Sequence, residues 1–349
     1  MKTKVTKPKS STAAPVAVII ADLHFNLANL EPATAALKAA SARADSLDVP
    51  LVIAGDLLDG KAIIRAEVAN RLIEILRSRP DSQRVILLRG NHDMINEKGQ
   101  EHALHFLEGY TDVVSSPVQL LDAWFVPYYS IGDNLKAFLE GIKPGSRIIA
   151  HQGVQSAFMG AYVQDKSSLP PEAFKDFRVI SGHYHLAQDI KCGPARKNAV
   201  GLFSYVGTPF TMSFAEANDG PKGFQILKSD GTLEQVVLNL RKHIIVERRI
   251  DNVLTPIPGL NPGDLLWLKV TGPYSELEKL RKHQIGQKLL GHANFKFDKI
   301  PTEGADVVQA GKPLTGAELL DKMIDEMEET AEQKKFLKEC WREALDEAT

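Results

Sequence analysis

Short apolar segments recur from Val16 to about Asn218, and each one ends in a cluster of polar residues. Uninterrupted apolar segments of this kind are typical of strands that are buried on both faces of a sheet. The segments are Val16–Ala21, Leu51–Ala54, Val85–Leu88, Arg147–Ala150 and Arg178–Ile180. The pattern therefore predicts buried strands whose exits carry the functional residues.

Two segments between these strands have the composition and spacing of helices. Pro32–Ser46 is rich in Ala and Leu and has a proline near its start, where a first helical turn tolerates it. Ile63–Arg77 carries apolar residues three and four positions apart. Strands that alternate with helices indicate an α/β domain. Beyond it, Phe224–Leu227 and Leu233–Leu238 flank an Asp-Gly pair, which predicts a hairpin.

The length of 349 residues exceeds the usual size of one domain and favours one large domain with a smaller one. We predict a disordered basic tail at residues 1–15, the α/β domain at 16–242, a small α+β domain at 243–305 and C-terminal helices at 306–349. The small domain is predicted from a strand at Leu265–Val270, a helix opened by a capping box of Ser275 with Glu278, and a strand at Phe295–Phe297. Thr315 and Glu318 form a second capping box ahead of the final helices.

Cysteine usage and hydropathy restrict the compartment. Cys192 and Cys340 are the two cysteines, and their spacing favours a reducing compartment over a disulfide scaffold or a thiolate zinc site. No apolar run approaches the roughly 20 residues that cross a bilayer, and the run ending at Asp22 has no obvious cleavage site. We therefore expect a cytoplasmic protein without membrane association. A net charge of −2 neither supports nor excludes a DNA substrate.

The polar clusters at the strand exits contain residues that ligate metal ions. The candidates are Asp22, His24, Asp56, Asn91, His151, His183 and His185. Any one of these histidines is equally consistent with a structural role, but the clusters share one location, the carboxyl ends of strands, where α/β sheets collect their ligands. Imidazole and carboxylate without thiolate suit Mn, Fe or Zn. Seven ligands exceed the needs of one tetrahedral ion, whereas two ions with a bridging carboxylate can activate water and clamp a phosphoryl oxygen. The sequence therefore predicts two-metal phosphoester hydrolysis.

These clusters resemble the calcineurin-like metallophosphoesterase superfamily, whose pattern of Asp-x-His, Gly-Asp-x-x-Asp, Gly-Asn-His-Asp, His and Gly-His-x-His is matched between about Val16 and Phe214. The resemblance implies an α/β/β/α sandwich with a small α+β capping domain and C-terminal helices. It implies that one metal is held by Asp22, His24, Asp56 and His185, and the other by Asp56, Asn91, His151 and His183. It further implies that His92 protonates the leaving oxygen or stabilises its charge, that Asp93 orients the ring of His92, and that Asp59 supports the ligands from behind.

Smaller features are similar to the SbcD-type DNA nucleases, also called Mre nucleases. They are His151-Gln152-Gly153-Val154, Gly207-Thr208-Pro209-Phe210, Ser213-Phe214-Ala215-Glu216 and Lys222-Gly223-Phe224. Thr208-Pro209-Phe210 stands where that family often has Ser-Pro-Tyr. This resemblance implies an exonuclease or endonuclease that acts on DNA ends in repair or recombination. It implies two divalent ions as cofactors, with Mn²⁺ as the first choice and Fe or Zn as alternatives. It also implies that the capping domain contacts DNA.

The same resemblance implies an SbcC-type ABC ATPase with a coiled coil as partner. The candidate docking face consists of Leu319, Leu320, Met323, Ile324, Met327, Phe336, Leu337 and Trp341. Packing of these helices on each other or on the enzyme explains the same residues equally well. A homodimer through helices that include Ile63–Arg77 is also implied, and ordinary core packing explains that segment equally well.

Two other functions remain open from the residues. The same chemistry serves a phosphoprotein, a cyclic nucleotide or a nucleotide-lipid ester, although Gly60-Lys61 and Asp93 stand where serine/threonine phosphatases of the superfamily usually have Arg-Gly and Glu. The other alternative is a noncatalytic scaffold subunit, which the intact ligand set and His92 argue against.

Overall fold

The central strands are buried on both faces, as their uninterrupted apolar character predicts. The computed structural model describes residues 13–302 apart from 62, 81–83, 97–98, 100, 161–162, 194–200, 262 and 292–293, and beyond these only 324, 333–335 and 337–338. The chain divides into two compact units, one of Met1–Val246 with Ile257–Trp267 and the other of Glu247–Pro256 with Leu268–Thr349. The boundary at residue 243 between the α/β domain and the small capping domain stays a prediction.

Strands and helices alternate along the first part of the described chain. The strands are β1 (Pro15–Ile20), β2 (Leu51–Ile53), β3 (Val85–Leu88), β4 (Asp112–Val114), β5 (Val118–Leu120), β6 (Ala123–Val126), β7 (Arg147–His151), β8 (Arg178–Gly182), β9 (Asp189–Lys191), β10 (Leu202–Tyr205), β11 (Gly223–Lys228), β12 (Leu233–Val237), β13 (His243–Arg249), β14 (Leu265–Gly272) and β15 (Lys296–Pro301). The α-helices are α1 (Leu30–Leu47), α2 (Ala66–Arg77), α3 (Gly132–Gly141), α4 (Tyr274–Leu277) and α5 (Lys282–Leu290). Short 3₁₀ helices span Ala103–Leu107, Pro171–Phe174, Phe214–Glu216 and Ile250–Asn252.

Two six-stranded sheets form the first unit. The first has the order β12-β11-β1-β2-β3-β4, and the second has the order β5-β6-β7-β8-β10-β9. Strands β1, β2, β3 and β4 are parallel to their neighbours in that run, and so are β6, β7 and β8. The predicted hairpin forms β11 and β12, which pair antiparallel. Each run of parallel strands therefore delivers its carboxyl ends to one edge of its sheet.

The two sheets pack face to face, and helices cover their outer faces. On β1, Ala17 and Ile19 belong to a core that also contains Phe125 of the second sheet. Val18 lies in a separate core with apolar residues of α1 and α2. A third core joins β6, β7, β8 and β10 to α3. Successive residues of a strand point to opposite faces, so these apolar runs build the α/β/β/α sandwich, and the predicted fold class is confirmed.

Helix α2 places its apolar stripe against the first sheet. The stripe consists of Val68, Leu72, Ile75 and Leu76, all of them buried. Core packing therefore accounts for the apolar residues of α2 that the homodimer interpretation also used. The exposed exception is Ile63, ahead of the helix, with an exposed fraction of 81%.

The second unit contains the ends of β13 and β14 and all of β15, which form a three-stranded sheet in that order, together with α4 and α5. The predicted strand at Leu265–Val270 is confirmed as β14. The capping box at Ser275 is wrong, because α4 begins at Tyr274 with Pro273 at its N-cap. Of the predicted docking face, Leu319, Leu320, Met323, Met327, Phe336 and Trp341 lie outside the described residues, as does the Thr315 capping box. No helix among the described residues combines the length and apolar character of a bilayer-spanning helix.

Candidate metal centre

Every candidate ligand lies at or just beyond the carboxyl end of a parallel strand. Asp22 and His24 follow β1, Asp56 follows β2, and Asn91 follows β3 in the first sheet. In the second sheet, His151 is the last residue of β7, and His183 and His185 follow β8. Face-to-face packing of the sheets brings the seven side chains together at one edge of the sandwich.

The backbone at these exits adopts conformations that are uncommon for residues with a side chain. Positive φ angles occur at Asp22 (53°), His24 (44°), Asp56 (49°) and His183 (95°). Such angles cost about 1 kcal/mol or more and concentrate at functional sites. Gly90 meets a related constraint, because a Cβ atom there would overlap Oδ1 of Asp56. The loops are therefore shaped to direct carboxylates and imidazoles to one point.

The first cluster joins Asp22, His24 and His185. Their potential ligand atoms lie within 4.8 Å of one another. Nε2 of His24 is 3.2 Å from Nε2 of His185 and 3.8 Å from Oδ2 of Asp56. Burial raises the pKa of Asp22, because a charged carboxylate is poorly solvated there.

The second cluster joins Asp56, His151 and His183, again within 4.8 Å. Oδ2 of Asp56 lies 3.3 Å from Nε2 of His151. Oδ1 of Asn91 lies 3.0 Å from Nε2 of His151 and 2.9 Å from Nδ1 of His183. Asp56 thus reaches members of both clusters, which is the position that a bridging carboxylate requires.

The donor set fits divalent cations. Nδ1 of His151 donates to the carbonyl of Ala54 at 2.8 Å, which leaves the lone pair of Nε2 directed toward Asp56 and Asn91 in the neutral ring. Burial would lower the pKa of His151, but the Asp56 carboxylate outweighs burial and raises it to about 9. Neutral imidazole nitrogens with carboxylate and amide oxygens suit transition metals.

His92 lies beside the clusters with its ring fixed by the backbone. Nδ1 of His92 donates to the carbonyl of Asp59 at 2.9 Å, and its ring centroid is 4.7 Å from that of His24. His92 is half-buried, and its ligand atom also lies within 4.8 Å of those of His24 and Asp56. The Asp59 carboxylate accepts from Asn26 at 3.0 Å and lies 3.5 Å from Nδ1 of His24, the candidate ligand beside it.

The predicted contact of Asp93 with the ring of His92 is wrong. The two carboxylate oxygens of Asp93 accept from the backbone N–H groups of Gly90 at 2.8 Å and Leu58 at 3.1 Å. Burial and the neighbouring Asp56 charge raise the pKa of Asp93 to about 6. Asp93 therefore ties the loop after β3 to the loop after β2, and the Asp59 carbonyl orients His92.

Glu216 is a site residue that sequence reasoning did not assign a role. Its Oε1 accepts from Nδ1 of His185 at 2.7 Å, and its Oε2 accepts from Met212 N and lies 3.2 Å from Nζ of Lys222. Burial would raise the pKa of Glu216, but His185 and Lys222 lower it to about 2. A charged carboxylate on one ring nitrogen directs the other toward a metal. No strand exit marks Glu216, although it belongs to the Ser213–Glu216 run already noted.

Two tyrosines also contact the histidines of the site. The ring of Tyr128 lies 5.5 Å from that of His183 and 6.2 Å from that of His151. The hydroxyl of Tyr184 donates to Asp165 at 2.7 Å. Asp165 also accepts from the backbone N–H groups of Ser167 and Ser168, so it connects that loop to the segment between the two histidines.

Comparison with known proteins agrees with this geometry. The family described as calcineurin-like phosphoesterase matches residues 16–196, which is just over half of the chain. The matched range includes all seven candidate ligands and His92. A search of the curated proteins found no match.

Proposed function

Because the chain belongs to the calcineurin-like phosphoesterase family, we propose that it is a two-metal DNA nuclease that hydrolyses phosphodiester bonds at DNA ends. Membership of this family implies metal-dependent phosphoester hydrolysis. The DNA substrate, the exonuclease or endonuclease activity and a role in repair or recombination are our proposal. The observation that supports it is the arrangement of the SbcD-like segments around His185.

Three of those segments meet at His185. Glu216 binds the imidazole, while the backbone N–H of Thr208 and Nζ of Lys222 donate to the carbonyl of His185 at 3.1 and 2.9 Å. Thr208, Glu216 and Lys222 all lie in the segment that connects β10 to β11, so the SbcD-like residues of this segment share one task, which is to hold a candidate metal ligand. The fourth segment contains His151 itself, and Gln152 beside it donates to the carbonyl of Pro127 at 2.9 Å.

Two divalent ions, when bound, would activate a water and neutralise charge on the phosphoryl oxygens. Asp22, His24, Asp56 and His185 would hold one ion, and Asp56, Asn91, His151 and His183 the other, with Mn²⁺ proposed first and Fe or Zn as alternatives. Because the Asp59 carbonyl accepts from Nδ1 of His92, Nε2 is the ring atom available to protonate the leaving oxygen. A proton delivered there avoids the release of an unstabilised alkoxide.

We further propose an SbcC-type ATPase as partner, docked through the C-terminal helices within 306–349, and a cytoplasmic location. The proposed homodimer would use the surface near exposed Ile63, because the apolar stripe of α2 is buried in the core. DNA contact by the second unit is part of the same proposal. Copurification of an ATPase with the full chain but not after deletion of Leu314–Thr349 is the expected result for docking.

Incubation of the purified full chain with Mn²⁺ and linear DNA tests the nuclease proposal. We expect cleavage that is abolished by chelation and by Asp56→Asn, since that substitution removes the charge shared by both clusters. A small phosphodiester, bis-p-nitrophenyl phosphate, is assayed in parallel. Turnover of the small substrate without DNA cleavage, with and without the ATPase, would refute the DNA substrate and leave the phosphoesterase intact. Metal binding without turnover of either substrate would favour the noncatalytic scaffold.

A further inference from the structure

A second set of metal-ligating side chains lies apart from the centre described above. His102 and Glu108 flank the 3₁₀ helix Ala103–Leu107, and His105 lies within it. Side chains three positions apart eclipse one another on a 3₁₀ helix, so spacing of three places all three residues on one side. Their potential ligand atoms lie within 4.8 Å of one another.

The geometry of this cluster is close to that of a single bound ion. The rings of His102 and His105 stack with centroids 4.1 Å apart and planes at 22°. Nδ1 of His105 lies 2.7 Å from Oε1 of Glu108. Ligand atoms around one tetrahedral zinc ion are roughly 3.4 Å apart, given bonds of about 2.0–2.2 Å. The three potential ligand atoms, within 4.8 Å of one another, are therefore at most about 1.4 Å farther apart than in such a site.

His102 supplies an independent observation. The residue is only 4% exposed, and its Nδ1 is buried with no hydrogen-bond partner among the residues that the structure describes. A buried polar atom without a partner costs about 1–3 kcal/mol, so such an atom calls for a ligand, a water or an ion. Burial lowers the pKa of His102, and the neighbouring His105 and Arg89 lower it further.

We propose that His102, His105 and Glu108 form a third metal site, which binds Zn²⁺ with water in the remaining position. Two neutral imidazoles and one carboxylate are a ligand set that zinc accepts. The proposal does not depend on the nuclease assignment, because none of its ligands belongs to the clusters around Asp56.

The position of the site gives it a consequence for the loop that carries His92. The backbone N–H of Ala103 donates to the carbonyl of Asp93 at 2.8 Å, and that of Ile95 donates to the carbonyl of Glu101 at 2.9 Å. A zinc ion that joins residues on both ends of the 3₁₀ helix would therefore stabilise the segment following Asn91, His92 and Asp93. At free Zn²⁺ about 100 times the dissociation constant, local opening that breaks the site is suppressed about 100-fold.

Equilibrium dialysis of the metal-stripped full chain against Zn²⁺ measures the site directly. His105→Ala should bind one equivalent fewer than the wild-type chain, and Glu108→Gln should bind that equivalent more weakly. His105 and Glu108 are 65% and 54% exposed, so both variants should unfold at the wild-type temperature without metal. The matched control is His283→Ala, which removes another exposed histidine and should retain the wild-type stoichiometry.

Hydrogen exchange locates the bound ion. Amides of residues 101–108 should exchange up to about 100-fold more slowly when Zn²⁺ is added to the wild-type chain, with no such change in His105→Ala. Equal zinc stoichiometry in the wild-type chain and His105→Ala would overturn the proposal. So would unchanged exchange at residues 101–108 on addition of zinc to the wild-type chain.

Discussion

Replacement of Glu216 by glutamine tests how the first metal cluster is held. Glutamine keeps the size of the side chain but removes the charge, which at a pKa of about 2 is present throughout the working pH range. Carboxylates that accept from the distal nitrogen of a metal-ligating histidine contribute about 10–100-fold to metal affinity, equivalent to about 1.4–2.8 kcal/mol. We therefore expect Glu216→Gln to weaken binding at Asp22, His24 and His185 by that factor. Activity should return at saturating metal, because His92 and the second cluster are unchanged.

The assay is a Mn²⁺ titration of bis-p-nitrophenyl phosphate hydrolysis, paired with calorimetric titration of the metal-stripped chain. Glu234→Gln is the matched control, since Glu234 also pairs with a lysine, Lys228, but lies on the surface with its side chain 50% exposed. Thermal unfolding without metal distinguishes a loss of metal affinity from a loss of structure. We expect the variant to stay folded, because Lys222 still has Asp219, 2.8 Å away, as an ion-pair partner. An unchanged metal requirement in folded Glu216→Gln would refute the inference that Glu216 orients His185.

Two further predictions concern His92 and Asp165. His92→Asn should lower kcat on DNA by about 10²–10⁴-fold. The effect on bis-p-nitrophenyl phosphate should be smaller, because its leaving group needs little protonation. An equal loss of kcat on both substrates, measured at saturating metal, would contradict the role of His92 as an acid. Burial would raise the pKa of Asp165, but hydrogen bonds from Ser168, Tyr184 and Ser167 lower it from 3.8 to about 2. Its stabilising effect is therefore complete above about pH 4 and is lost as the pH falls toward about 2. Asp165→Asn should lower the free energy of unfolding, measured with urea at pH 7, by about 1–2 kcal/mol, where the lower figure allows for solvent screening. Near pH 2 the loss should be much smaller. A difference between variant and wild type that grows as the pH falls would refute this prediction.

The parallel strands and the clustering of the candidate metal ligands were predictable because their signals are local. Val85–Leu88 is buried on both faces, and its apolar run ends where the strand ends. The residues that follow such a run must leave the sheet at its carboxyl edge, so Asn91 and His92 could be assigned to the site from their position in the sequence alone. Periodicity also predicted α2, within three residues at its start.

The supporting contacts were not predictable, because they depend on tertiary proximity. Glu216 reaches His185 across 31 positions of sequence. The family resemblance implied that Asp93 orients the ring of His92, but its carboxylate accepts from the backbone of Gly90 and Leu58. The capping box at Ser275 failed for a local reason, since Pro273 fixes the backbone one residue before the helix begins. Sequence patterns thus identify ligands better than they identify what orients the ligands.

The candidate metal centre combines buried charge with backbone conformations that are uncommon for residues with a side chain. Asp22, Asp56 and Asp93 are three carboxylates within a buried region, and Asp22 and Asp93 have raised pKa values because burial penalises their charge. The Asp56 carboxylate raises the pKa of His151 to about 9, and four candidate ligand residues have positive φ angles. The surrounding sheets maintain these features, since β1, β2, β7 and β8 are buried on both faces and do not depend on the centre for their packing. Because the strand ends already position the candidate ligands, a site of this kind would bind cations without refolding.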